Sequence, residues 1–159
     1  MTGLPYSGKT TLTKALVKRF SFSAVSMDNI MEEKGLDSAT MVQGDWNAVY
    51  SEAYDRLKKL LAEGKSVIVD CGNLPAHERN TPKNIAESLN IPSKLIYVNT
   101  TKDEILRRWK NNQVTKQRGH LTETGLNLAF ELFKEPTEIE HPIIYNQSTD
   151  LETWVNVNI

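Results

Sequence analysis

A chain of 159 residues with a formal net charge of −1 can bury one ordinary core, and is too balanced in charge to hold long nucleic acid regardless of sequence. Its single cysteine, Cys71, rules out an internal disulfide and fits a reducing compartment. No apolar run approaches the ~20 residues of a membrane span, so the expectation is one soluble, cytoplasmic domain over residues 1–159.

In chain order, the first feature is Gly3-Leu4-Pro5-Tyr6-Ser7-Gly8-Lys9-Thr10, a complete G-x-x-x-x-G-K-[ST] phosphate-binding loop. Its glycines let backbone N–H groups wrap around a polyphosphate. Lys9 supplies a point charge to the β- and γ-phosphates, and the Thr10 hydroxyl is a Mg²⁺ ligand. Residues 3–11, Thr11 included, form the expected nucleotide cradle. Leu12, Leu16, Val17 and Phe20 then share one stripe, which predicts a helix from Lys9 to Phe20 whose N-terminal dipole faces the phosphates. Such a loop ordinarily follows a buried strand, and here only Met1 and Thr2 precede it. The first strand therefore reads as missing or truncated. Its loss would expose ladder groups on both neighbours, which predicts marginal stability, strand swapping or a strand supplied from elsewhere.

Phe22 to Met27 reads as a short strand ending at Asp28. A helix from Asp28 stops at Gly35, and residues 36–44 are irregular. Asp45 caps a longer helix whose Trp46, Val49, Ala53, Leu57, Leu60 and Leu61 make one apolar face, ended by Gly64. Ser66–Val69 is an apolar strand leading into Asp70, followed by a loop to Leu74. Thr81-Pro82 reads as the cap and first residue of a helix to about Leu89. Lys94–Val98 is the next buried strand, and Thr101-Lys-Asp-Glu104 is a capping box opening a helix to about Asn112. A polar stretch to Leu121 precedes a helix over about Thr122–Phe133. Ile143–Tyr145 is a last short strand, and Thr149–Glu152 caps a final turn through Trp154.

Strands alternating with helices predict an α/β fold: a parallel sheet with helices on both faces, the three-layer arrangement of P-loop NTPases. Ligands in such sheets sit beyond the carboxyl ends of the strands. The loop, Asp28, residues 70–73 and the start of the 101–112 helix fall at that edge. Phosphoryl transfer needs a cradle, a metal, a base for the acceptor and cations over the moving phosphoryl group. Asp28 is the candidate general base, a plain helix cap being the alternative. Asp70 is the candidate second Mg²⁺ residue or acceptor contact; a carboxylate satisfied by loop amides is its plainer reading. Asn73 and Arg79 are candidate acceptor contacts, or an ordinary turn and surface residue. The segment 107–121, with Arg107, Arg108, Lys110, Lys116, Arg118 and His120, suits a lid, or else a solvated basic loop. Arg118 is its best clamp for the transferred phosphate. His77, His120 and His141 are scattered and suggest no zinc site, while Trp46, Trp109 and Trp154 read as packing anchors.

With these residues in place, the chain resembles the small ATP-dependent kinases of the P-loop superfamily. That group holds the kinase domain of phage polynucleotide kinase, chloramphenicol phosphotransferase, the zeta toxins and seryl-tRNA kinase. Residues 2–11 are close to the group's loop, which usually has Gly where Tyr6 stands. Val67–Leu74 with Arg79 resembles the polynucleotide kinase stretch of strand, Asp, Asn-Leu and Arg. The resemblance implies ATP and Mg²⁺, a hydroxyl acceptor, a base at Asp28 and a lid arginine at Arg118, with Arg107 and Arg108 as the other candidates. The lid segment is longer here than in the phage enzyme. The acceptor stays open between a small molecule and a polynucleotide 5′ end, with the near-neutral charge leaning towards the former. Two other readings stand beside this one: a nucleotide-binding ATPase switch with no acceptor, and a degenerate domain that binds phosphate weakly.

Overall fold

A computed structural model describes the chain apart from residues 39, 73 and 147. Helix α1 (Lys9–Phe20) buries Leu12 and Leu16 on the stripe expected of it. Strand β1 (Ser23–Ser26) leads directly into α2 (Met27–Glu33). The twenty-residue α3 (Gln43–Ala62) buries Val49, Ala53, Leu57 and Leu61, four residues apart on one face. Its cap lies slightly upstream of the expected one: Asp45 stands at the third helical position, and its carboxylate accepts the Val42 amide at 3.0 Å. The remaining elements are β2 (Val67–Asp70), α4 (Ala76–Ser88), β3 (Ile96–Asn99), α5 (Lys102–Thr115), α6 (Glu123–Leu132), a 3₁₀ turn at Glu138–Glu140, β4 (Ile143–Asn146) and α7 (Leu151–Asn158).

Strands β1 and β2 pair in parallel with Ser26 opposite Asp70, and β3 pairs in parallel with β4, Ile96 opposite Ile143. Met1 and Thr2 lie between these pairs. The Thr2 amide donates to Ile96 O at 2.8 Å, Val98 N donates to Thr2 O at 2.9 Å, and the Met1 ammonium donates to Val69 O at 3.0 Å. The spatial order is therefore β1, β2, residues 1–2, β3, β4. The expected gap at the central strand is corrected to this extent: beside the phosphate loop two residues occupy it, with Thr2 fully buried and its ladder groups paired. One core lies between the sheet and α2, α3 and α4, around Val25, Ile30, Val49 and Ala53. The other lies between the sheet and α1 and α7, around Leu16, Ile68, Val98 and Trp154. This is the three-layer α/β arrangement that the strand–helix alternation predicts. No helix among the described residues is long and apolar enough to cross a membrane.

One helix boundary differs in a way that matters for the site. Helix α4 starts at Ala76 and not at Thr81, so Pro82 sits inside it. The Thr-Pro pair imitates a helix start, but tertiary packing pulls in the preceding turn and Pro82 forgoes one backbone bond. The Glu78 carboxylate accepts the Leu74 amide at 3.2 Å near the helix entrance. The additional turn carries Arg79 into the interior, where it is 5% exposed.

Candidate active site

The loop from Gly3 to Gly8 connects the central position of the sheet to α1. Gly3 has φ +148°, and a Cβ built there would lie 2.7 Å from the Val98 carbonyl oxygen, so only glycine fits against β3. Gly8 caps α1 at φ +104°. Two side chains brace the loop from outside: the Thr100 hydroxyl donates to Ser7 O at 2.9 Å, and Arg108 Nη1 donates to Tyr6 O and Ser7 O at 3.1 and 3.2 Å. Arg108 is itself held by Glu104 at 2.7 Å, and Arg107 grips the same carboxylate with two bonds. The guanidinium groups of Arg107 and then Arg108 hold the Glu104 carboxyl down at about 2.

Lys9 folds back over the loop, and its Nζ donates to Gly3 O at 2.7 Å and Leu4 O at 3.0 Å. Burial lowers its pKa from 10.5 to about 8, with Asp70 and Asp28 pulling the other way and Arg118 adding to the fall. An ammonium held this way lacks a full counter-charge, which a polyphosphate supplies. Beside it, Thr10 Oγ1 donates to Asp70 Oδ2 at 3.2 Å, and Thr13 Oγ1 reaches the same oxygen at 3.5 Å. The register of β1 and β2 places Asp70 at the carboxyl edge, and α1 brings Thr10 to it. A hydroxyl and a carboxylate are hard oxygen donors suited to Mg²⁺, which keeps several waters and takes few protein ligands. Among the described residues no group of three His, Cys, Asp or Glu could hold a metal ion, so a metal here would lean on phosphate oxygens as well. Thr11 is exposed on the first turn of α1.

Asp28 stands in the first turn of α2 with its side chain 66% exposed. The capping alternative is corrected: Ser26 caps α2, its Oγ accepting the Asn29 amide at 3.5 Å. The Asp28 carboxylate is thus left facing the site, with Arg118 Nη2 at 4.0 Å from its Oδ2. Of the three candidate lid arginines, Arg107 points to solvent, Arg108 supports the loop backbone, and Arg118 meets Asp28. The segment expected as a lid, the end of α5 and the loop to Leu121, is pinned by Asn112. The Asn112 side chain donates to Arg118 O at 3.1 Å and accepts Arg118 N at 3.2 Å. Trp109 stacks on His120 and donates from Nε1 to Leu121 O at 2.7 Å.

Of the two other expected acceptor contacts, one lies outside the described residues and the other does not join this group. The former is Asn73. Arg79 is given a structural occupation: Nε and Nη2 donate to Glu140 at 2.6 and 2.9 Å, and Nη1 donates to Leu74 O and Lys134 O at 2.9 and 2.8 Å. With most of its donors committed to the 3₁₀ turn and two backbone carbonyls, it ties α4 to the segment entering β4 rather than presenting a fork to a ligand. Sequence reasoning missed the bracing roles of Thr100 and Arg108. The i,i+4 spacing of Arg108 from the capping-box Glu104 was the available signal.

A family model described as an AAA domain matches residues 1–136. A shikimate kinase of Clostridium botulinum (strain Okra / Type B1) is 29% identical over 155 residues, covering 92% of this chain and 85% of that protein. Among solved structures, Chaetomium thermophilum Kti12 in complex with ADP-AlF3 is similar with TM-score 0.79 at 18% identity, over 98% of this chain and 92% of that one. A putative kinase from Chloroflexus aurantiacus gives TM-score 0.72 at 17% identity, over 99% and 95% of the two chains. At those identities the structural likeness shows the fold alone, that of the P-loop NTPases.

Proposed function

The chain belongs to the AAA domain family, and on that premise we propose that it is an ATP-dependent kinase moving the γ-phosphate to a hydroxyl, in the cytoplasm, as one domain. The observation that carries this reading is the convergence at one sheet edge of three pairs: Lys9 on the loop carbonyls, Thr10 on Asp70, and Arg118 on Asp28. A nucleotide switch with no acceptor needs the first two and, where Asp28 stands, only something that orients water.

In this reading the loop amides and Lys9 bind the β- and γ-phosphates, and Arg118 neutralises charge on the moving phosphoryl group. Thr10 and Asp70 would hold Mg²⁺, which supplies further charge neutralisation on the phosphates when bound. Asp28 takes the proton of the acceptor hydroxyl as its oxygen bonds to the γ-phosphorus, and the bridging P–O bond breaks to leave ADP. The shikimate kinase relative and the net charge of −1 favour a small polyhydroxy acceptor. The likeness to the polynucleotide kinase group keeps a 5′-hydroxyl end as the second choice. Transfer of labelled γ-phosphate from Mg·ATP to a panel of cyclic polyols, sugars and a 5′-hydroxyl oligonucleotide tests it. Labelling of one small acceptor supports the reading, and labelling of the oligonucleotide alone moves it to the second choice. Steady phosphate release with no acceptor labelled would replace it with the switch.

A further inference from the structure

We propose that Tyr6 is a positioning residue, which seats the lid on the phosphate loop and so holds Arg118 beside Asp28. This rests on the kinase reading above and adds to it a residue outside the reacting groups.

Tyr6 sits in the middle of the loop at φ +63°, in the left-handed region that glycine enters freely and an aromatic residue does not. A side chain retained in a disfavoured backbone conformation is explained by what it contacts, and Tyr6 contacts the lid in three ways. Its phenol oxygen accepts the Leu121 amide at 3.2 Å. Its ring lies beneath the Arg118 guanidinium, 4.7 Å from carbon to ring centroid. The residue is 6% exposed, packed with Ile105, Trp109 and Leu126 in a cluster made by α5, α6 and the loop.

The 118–121 segment is therefore held at both ends. At Leu121 the N–H goes to Tyr6 and the carbonyl to Trp109 Nε1. At Arg118 the backbone goes to Asn112 and the side chain to the Tyr6 ring. Stacking on the ring fixes the guanidinium within 4.0 Å of Asp28. Phosphate loop and lid are thus joined as one unit through Tyr6. The Arg108 side chain reinforces the same unit from outside, its guanidinium donating to Tyr6 O.

The test compares wild type with Y6F, which keeps the ring and loses the hydroxyl, and Y6G, which loses both and suits the backbone. Amide exchange in the free protein reads the seat directly, without any acceptor. Y6F should speed exchange at the Leu121 amide by about fivefold, the worth of one ordinary hydrogen bond. Y6G should speed exchange across 118–121 by more. Turnover of Mg·ATP with water as acceptor reads the positioning role. Y6G should lower kcat by about tenfold with KM for Mg·ATP changed by less than about threefold, and Y6F should lose about threefold. Unaltered exchange over 118–121 in Y6G would overturn the proposal, as would Y6F losing as much kcat as Y6G. Protection lost in Y6G, in a wild type that binds Mg·ATP but labels no acceptor in the transfer assay, would retire the kinase reading and the catalytic part of the role, and leave the lid seat standing.

Discussion

Raising the pH through 8 should loosen nucleotide binding, because the ammonium that meets the phosphates is buried in the free protein. The fall of the Lys9 pKa from 10.5 to about 8 corresponds to about 3 kcal/mol acting against the charged form. A bound polyphosphate supplies the missing counter-charge and lifts that pKa again, so binding above pH 8 takes up a proton. Affinity for Mg·ATP should be flat below pH 8 and fall by up to about tenfold per pH unit above it. Calorimetry at pH 9 in two buffers of different ionisation enthalpy should give an uptake approaching one proton. For the free fold the sign is opposite to that of an ordinary ion pair. The native state binds fewer protons than the unfolded one between pH 8 and 10.5, so the penalty is complete below 8 and relieved as pH rises. K9M should accordingly leave the free protein at least as stable at pH 7 while reducing Mg·ATP affinity by about a hundredfold or more. An affinity constant from pH 7 to 9.5, with no proton uptake, would refute this account of Lys9.

Three further outcomes follow from the same geometry. Replacing Glu140 by Gln leaves Arg79 buried without its counter-charge and should cost about 3 kcal/mol in urea unfolding at pH 7; a loss under about 0.5 would deny Arg79 its structural role. Glu140 is held below the usual carboxylate range first by Arg79, so the stabilisation it brings is present above about pH 4.5 and lost as pH falls through its lowered native value. G3A drives a Cβ into Val98 O at 2.7 Å at φ +148° and should destabilise by about 3 kcal/mol or more on thermal melting, with unchanged melting showing that the loop can shift away from β3. D70N should raise the Mg²⁺ concentration needed for half-maximal turnover by about tenfold to a hundredfold, and an unaltered metal requirement would remove Asp70 from the metal site.

What the sequence made legible was local chemistry. The spacing of Gly3, Gly8, Lys9 and Thr10 sets the loop, and the continuous apolar run of Val67–Val69 into Asp70 sets the edge where Thr10 meets it. Thr101 with Glu104 marks the start of α5, where the Thr101 hydroxyl accepts the Glu104 amide. What stayed hidden depends on partners far along the chain. Arg79 looked like a ligand fork because Glu140 stands 61 residues away, and because Thr81-Pro82 imitates a cap and displaces Arg79 from the helix. Tyr6 read only as a cradle residue standing where the resembling group usually has Gly, since its hydrogen bond to Leu121 spans 115 residues. Ser26 rather than Asp28 caps α2, a choice between two polar residues two positions apart that only backbone geometry decides. The two residues ahead of the loop looked too few to matter, yet they bridge β2 and β3 through hydrogen bonds to Val69, Ile96 and Val98.

The central claim is that Asp28 accepts a proton from a hydroxyl while Lys9 and Arg118 hold the transferred phosphate. Its most direct measurement is single-turnover transfer of labelled γ-phosphate from Mg·ATP by wild type and D28N, with nucleotide affinity measured on the same preparations. The account predicts Mg·ATP binding within about threefold of wild type and transfer slowed by about 10²–10⁴-fold, the range of a lost general base. Transfer by D28N at the wild-type rate would contradict it.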